Sequence, residues 1–101
     1  MLVDARTLAD GLIIETDVCI IGAGAAGITL AKEFSGQSFR VWLLESGGFD
    51  FDRHTQDLYK GENLGLSIPL DLQRLRYFGG ATNHWSNYCR PLDDIAFERR
   101  A

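Results

Sequence analysis

Cysteine is scarce in this 101-residue chain: Cys19 sits in an apolar run and Cys89 lies far from it. Two such thiols are too few for the disulfide framework of a small secreted domain, so a reducing compartment is expected. Long apolar runs are missing as well. The longest weakly polar stretch, Val18 to Ala31, is broken by Gly22, Gly24 and Gly27 and stops at Lys32, so no transmembrane segment is expected. The opening residues place Asp4, Arg6 and Asp10 around no more than Leu12-Ile13-Ile14, without the basic and apolar regions of a signal peptide. Basic runs are lacking too: 10 lysines and arginines face 14 acids for a formal charge of −4, which argues against a nucleic-acid surface. No internal repeat or low-complexity segment is visible. These absences leave a soluble protein, cytoplasmic unless a partner subunit carries it elsewhere.

What is present has the composition of one globular domain, with 46% hydrophobic and 24% charged residues. A chain of this length buries roughly 60–70% of the surface its unfolded form exposes. That allows one modest core, not separate cofactor and substrate domains.

Hydrophobic patterning predicts an α/β fold. Val18-Cys19-Ile20-Ile21 is a continuous apolar run of the kind found in strands covered on both faces. It leads into Gly22-Ala23-Gly24-Ala25-Ala26-Gly27, after which Ile28, Leu30, Ala31 and Phe34 give a helical apolar face with Lys32 and Glu33 outside. Ser35-Gly36 ends the helix, and Val41-Trp42-Leu43-Leu44 reads as a second buried strand finishing at Glu45. The whole unit spans about 30 residues, the length of one parallel strand–helix–strand crossover. Ahead of it, Val3 to Glu15 is expected to be extended with a turn at Asp10-Gly11, as a lead-in or edge strand. Behind it, Ser46 to Gln73 is weakly patterned apart from a helical turn at Thr55 to Tyr59, which suggests a functional loop or missing partner surface. Arg74 to Phe78 alternates charged and apolar residues as a strand would, then breaks at Gly79-Gly80. Trp42, Phe34 and Phe39 are expected to pack in the core.

The glycines carry the first functional signal. Gly22-x-Gly24-x-x-Gly27 matches the dinucleotide fingerprint: Gly22 permits the tight turn, Gly24 the approach of a pyrophosphate, and Gly27 close helix packing. The helix start, with Ala25 and Ala26 in its first turn, offers amides and partial positive charge to phosphates. Glu45 follows about 20 residues after the loop, where an acid accepts hydrogen bonds from ribose hydroxyls and repels a 2′-phosphate, disfavouring NADP. The plainer alternative is a tight turn with a solvated strand end. Spacing alone leaves FAD and NAD both open.

A second motif runs from Arg74 through Tyr77-Phe78-Gly79-Gly80-Ala81-Thr82-Asn83-His84-Trp85-Ser86-Asn87-Tyr88-Cys89 to Leu92. With the Gly22 loop and Glu45-Ser46-Gly47-Gly48, it resembles the N-terminal part of the glucose–methanol–choline (GMC) family of FAD-dependent oxidoreductases, from about Asp17 to the end of the chain. The resemblance implies a partial Rossmann-type FAD-binding fold, one strand–helix–strand unit plus a flavin-contacting extension. Residues 1–101 would then be the N-terminal portion of an FAD-binding domain, with the substrate domain absent.

By the same resemblance, the cofactor-binding residues are Gly22, Gly24, Ala25, Ala26, Gly27, Glu45, Ser46, Gly79, Gly80, Asn83, His84 and Ser86. His84 matches a histidine that some members bond covalently to the flavin; the alternative is a packed histidine contacting flavin or a backbone carbonyl. Ser86 matches a hydroxyl near the flavin N5, with a turn-forming serine as the alternative. Ala81 in place of Ser or Thr, and His84-Trp85 in place of an apolar residue and Asn, depart from the common signature toward the pyranose-oxidase and bacterial sugar-dehydrogenase branch. The implied reaction oxidises an alcohol or sugar to a carbonyl, with hydride passing to flavin N5 and an electron acceptor restoring the flavin. In the family the base is a C-terminal histidine that has no counterpart here, so no catalytic residue is assigned, and the chain alone is expected to bind FAD weakly or not at all. An NAD-binding module and a non-catalytic fragment remain the competing readings. His54 in Asp50-x-Asp52-x-His54 lacks a second histidine at ligand spacing, and no metal site is expected. Arg74 and Arg76, alternate residues on the expected strand, are either a phosphate clamp or a solvated face.

Overall fold

Two apolar runs pair side by side. Val18–Ile21 (β1) and Val41–Leu44 (β2) form a parallel ladder, Val18 opposite Val41 and Ile21 opposite Leu44, joined through the helix Ala25–Glu33 (α1). The computed structural model describes residues 1–65, 68–84 and 89–99. Parallel strands need such a crossover because a short turn cannot bring the second strand back to the start of the first. The entry end of the ladder is stapled by side chains. Arg40 N–H donates to Asp17 Oδ2 at 2.7 Å, and the Thr16 hydroxyl donates to the Arg40 carbonyl at 2.5 Å. At the exit end the ladder runs one residue further, with Gly22 N–H donating to Leu44 O at 2.7 Å.

α1 packs on both strands. Its half-buried positions are Gly27, Ile28 and Ala31, continued by Phe34 at its C-cap, a three- and four-residue spacing that keeps one face toward the sheet. Leu30 departs from the expected face and is exposed. Two residues beyond Ile28, it sits about 200° around the helix from it. The expected burial of both strand faces is also corrected. Ile20 is 7% exposed, whereas Ile21 at the strand exit is 86% exposed, because one helix covers one face of a two-stranded sheet. Phe39 is likewise half-exposed, packing edge-on against Phe34 with ring centres 5.6 Å apart rather than entering a core.

The lead-in is no strand. Asp4 caps a single 3₁₀ turn at Ala5–Thr7, the chain turns at Asp10-Gly11 with Gly11 at φ +78°, and Leu12 and Ile13 stay exposed. Without a neighbouring strand to take its amides and carbonyls, the segment has no ladder to join. The helical turn expected at Thr55 to Tyr59 is present, and the weakly patterned stretch around it holds more helix than expected. It holds a short helix Arg53–Gln56 (α2), a 3₁₀ turn Asp57–Tyr59 and a second short helix Leu70–Gln73 (α3). Asp52 caps α2 by accepting from Thr55 N at 2.7 Å and from the Thr55 hydroxyl at 2.6 Å.

Residues 74–78 are no strand either, despite their alternation. Their backbone is taken up elsewhere: Arg76 N–H by the Gln56 side chain at 2.9 Å, and Phe78 N–H by Gly48 O at 2.9 Å.

Exposed apolar surface is extensive. The radius of gyration is 16.7 Å against about 13 Å for a compact domain of this length, and the accessible surface is 8927 Å² against about 5,700 Å² for a compact monomer of this mass. Among the described residues no helix is long and apolar enough to cross a membrane.

Candidate functional site

Ala23 is the node of the site. It is 1% exposed, and both of its backbone polar groups are engaged by segments distant in sequence. Its N–H donates to Glu45 Oε2 at 2.7 Å, and its carbonyl accepts from Gly79 N–H at 2.8 Å. The glycine loop, the exit of β2 and the Gly79-Gly80 pair thus meet at one residue. A parallel bridge joins Gly24 to Gly79, and Gly80 is buried so close that a Cβ on it would lie 3.2 Å from Gly24 Cα.

The three loop glycines have different reasons to be glycine. Gly22 has φ +100°, which side chains rarely adopt. At Gly27 a Cβ would fall 1.9 Å from Gly22 O and 3.1 Å from its carbonyl carbon, so the helix sits against the loop backbone with no room for a methyl. Gly24 is unlike both. Its φ of −81° suits any residue, and among the described residues nothing lies within 4 Å of a Cβ placed there. Among the described residues, neither conformation nor internal packing requires glycine at 24. Gly24 is also the N-cap of α1 and makes no side-chain cap hydrogen bond, so the first-turn amides, those of Ala25 and Ala26 among them, take no side-chain cap from it.

Glu45 lies at the exit of β2, half-buried. Besides the Ala23 amide, it accepts from Ser46 N–H at 3.0 Å, Gly47 N–H at 3.1 Å and the Ser46 hydroxyl at 3.3 Å, all three on Oε1. A carboxylate has about four acceptor positions, and Oε2 carries one of these donors, leaving it able to accept one more. Burial is the largest single influence on its carboxyl and pushes the pKa up. The hydrogen bonds from Ala23, Gly47 and Ser46 together outweigh burial and hold the group below the ordinary glutamate value. A depressed folded-state pKa means the carboxylate stabilises the loop above the unfolded-state value, and the contribution is lost as pH falls through the folded-state value. In an NMR acid titration, the Ala23 amide resonance is therefore expected to move with a midpoint below that of glutamate in an unstructured peptide. An unshifted midpoint would mean the loop does not hold this carboxylate.

The remaining predicted residues divide. Asn83 donates from Nδ2 to Phe78 O at 2.9 Å and Gly80 O at 3.1 Å, closing the turn that carries Gly79 (φ +91°) and Gly80 (φ +55°). The Thr82 hydroxyl donates to Gly79 O in the same turn. His84 ends the 3₁₀ turn Gly80–His84 and is exposed. Ser86 lies outside the described residues. Among the described residues, no group of three or more His, Cys, Asp or Glu side chains is placed to hold a metal ion. Three participants were not among the predicted binding residues, although the motifs contain them: Ala23, Gly48 and Gly47, where a Cβ would lie 2.0 Å from Arg76 O. A doubled glycine directly after the acidic strand end was the available signal for the last two.

No protein-family model matches this chain, and neither a curated protein nor a solved structure does. The likeness to the GMC family rests on the chain's own motifs.

Proposed function

We propose that this chain is the dinucleotide-binding part of a flavin-dependent oxidoreductase acting on alcohol or sugar CH–OH groups, built as part of a Rossmann-type unit. The observation that carries this reading is the open Gly24, glycine without internal cause, bordered by the Glu45 carboxylate and the Gly79-Gly80 turn. In this reading the amides around Gly24, Ala25 and Ala26 take the pyrophosphate, helped by the positive end of α1. Glu45 Oε2 accepts from a ribose hydroxyl while keeping the Ala23 amide, and its charge repels a 2′-phosphate. Gly79 and Gly80 present backbone without side chains as the second wall. The residues present fit FAD, and the choice of FAD over NAD comes from the GMC-like motif. When bound, a flavin supplies the hydride acceptor. His84, the exposed last residue of the turn Gly80–His84, is the candidate tether in this reading. The large apolar surface supports further structure around this unit before turnover, so no catalytic base is assigned to these residues.

The protein bearing this segment, isolated gently, is expected to be yellow and to release FAD on heat denaturation. Acid precipitation separates the two modes of holding: flavin in the pellet of the wild type that moves to the supernatant in His84→Ala assigns the bond to His84, and flavin wholly in the supernatant of the wild type removes the tether. Bound NAD in a colourless preparation moves the protein to the nicotinamide class. No adenine nucleotide at all overturns the proposal.

A further inference from the structure

Gln56 is 3% exposed, the one polar side chain so deeply buried among the described residues, and the dinucleotide reading gives it no role. Its amide is spent entirely on one distant backbone segment. Nε2 donates to Asp71 O at 2.6 Å and to Arg74 O at 2.5 Å, while Oε1 accepts from Arg76 N–H at 2.9 Å. The segment so gripped leads straight to the site. Arg76 O lies against Gly47, Phe78 N–H donates to Gly48 O, and Gly79 N–H donates to Ala23 O. A second hold comes from the Arg76 guanidinium, which lies 4.9 Å over the Tyr59 ring.

We propose that Gln56 is a positioning residue that sets the register of residues 74–80 on the glycine loop and so aims Gly79-Gly80 at Gly24. The functional part of this rests on the dinucleotide reading; the positioning part does not.

The chemistry selects glutamine. Two carbonyls and one N–H face the side chain, and a neutral primary amide answers them with two donors and one acceptor. Glutamate has no donor when ionised and would set a carboxylate against two carbonyl oxygens. Asparagine is one methylene too short to span from α2. Methionine matches the length and fills the space, but strands two carbonyls and an amide in a buried place, where each unmet group is costly. A four-residue helix has little stability of its own, so the Asp52 cap and the Arg53–Asp57 ion pair at 2.8 Å serve to hold the amide in place.

Amide hydrogen exchange of the full chain tests the positioning. In the wild type, the Arg76 and Gly79 amides are expected to be protected. Gln56→Met is expected to speed both by about tenfold or more while Ile20 and Leu44, whose amides point into the β1–β2 ladder, keep their protection. Gln56→Glu is expected to be at least as disruptive as Gln56→Met, although it is nearer in shape to glutamine. Unprotected Arg76 and Gly79 in the wild type, unchanged exchange in Gln56→Met, or near-wild-type behaviour of Gln56→Glu would each overturn the role. Uniform acceleration that includes the ladder would also overturn it, since Gln56 would then be a general packing residue. Titration with ADP of the flavin-free protein bearing this segment, wild type and Gln56→Met, addresses the other half. Shifts at Gly24 in the wild type that weaken about tenfold in Gln56→Met support both readings. Absence of any ADP effect in the wild type removes the dinucleotide reading and leaves the exchange data to decide Gln56.

Discussion

Replacing Gly27 with alanine is expected to cost about 3 kcal/mol of stability or more, while Gly24→Ser is expected to change stability by less than about 1 kcal/mol. The two substitutions fall in the same loop and differ in what the added atoms meet. At Gly27 the new Cβ would sit 1.9 Å from the Gly22 carbonyl oxygen, a backbone atom held by a turn at φ +100° and by its own N–H bond to Leu44 O at 2.7 Å. Neither partner can rotate away, so α1 must lift from β1 and break the contact with Ile20. At Gly24 the backbone is extended, space is open, and the N-cap position favours serine, whose hydroxyl can take a first-turn amide. The functional consequences reverse. Gly24→Ser keeps the fold and fills the approach to the helix amides, so the proposed nucleotide affinity falls by tenfold or more. Chemical denaturation followed by circular dichroism reads the first effect, and titration of the flavin-free protein bearing this segment with FAD or ADP reads the second. Equal stability loss at the two glycines would refute the division of labour in the loop.

Loss of the Glu45 carboxylate has the next largest expected effect. Glu45→Ala leaves the Ala23 N–H without its acceptor inside a residue that is 1% exposed, and releases the amides of Ser46 and Gly47. An unmet buried N–H costs roughly 1–3 kcal/mol, and the loop it anchors carries the Gly79 contact on the same residue. We therefore expect a lowered denaturation midpoint together with faster exchange at Gly79, some thirty residues farther along the chain. Glu45→Gln is expected to fall between alanine and wild type: its carbonyl oxygen can still accept from Ala23, but its NH₂ then faces the Ser46 and Gly47 donors. A Glu45→Ala protein with unchanged stability would mean that the carboxylate is a solvated strand end, the plain alternative to a ribose acceptor.

Much of the strand–helix–strand unit was readable along the chain because its determinants are local. Val18–Ile21 and Val41–Leu44 are apolar runs, and the loop between β1 and α1 is forced by glycines. Periodicity placed Ile28, Ala31 and Phe34 on one face, but it enrolled Leu30 on a side where only the geometry of the packed helix excludes it. The 74–78 segment misled for a related reason. The alternation of Arg74, Leu75, Arg76 and Tyr77 is not matched by alternating burial, since Leu75, Arg76 and Tyr77 are all half-buried, and their partners here are a glutamine side chain and a glycine pair rather than a strand. Asp52-x-x-Thr55 was a legible cap that the weak patterning of its surroundings concealed.

Residue order alone thus settled the two strands, the helix between them, the glycine turn and the acid at the end of β2, since each depends on neighbours within a few positions. Three-dimensional packing decided the rest. It joined Gly79 to Ala23 and turned Glu45 onto the loop amide. It also showed that Gly24 has no internal need to be glycine, and gave buried Gln56 its three backbone partners. These are contacts across 15 to 56 positions of chain, set by which buried polar groups find one another once the backbone is folded.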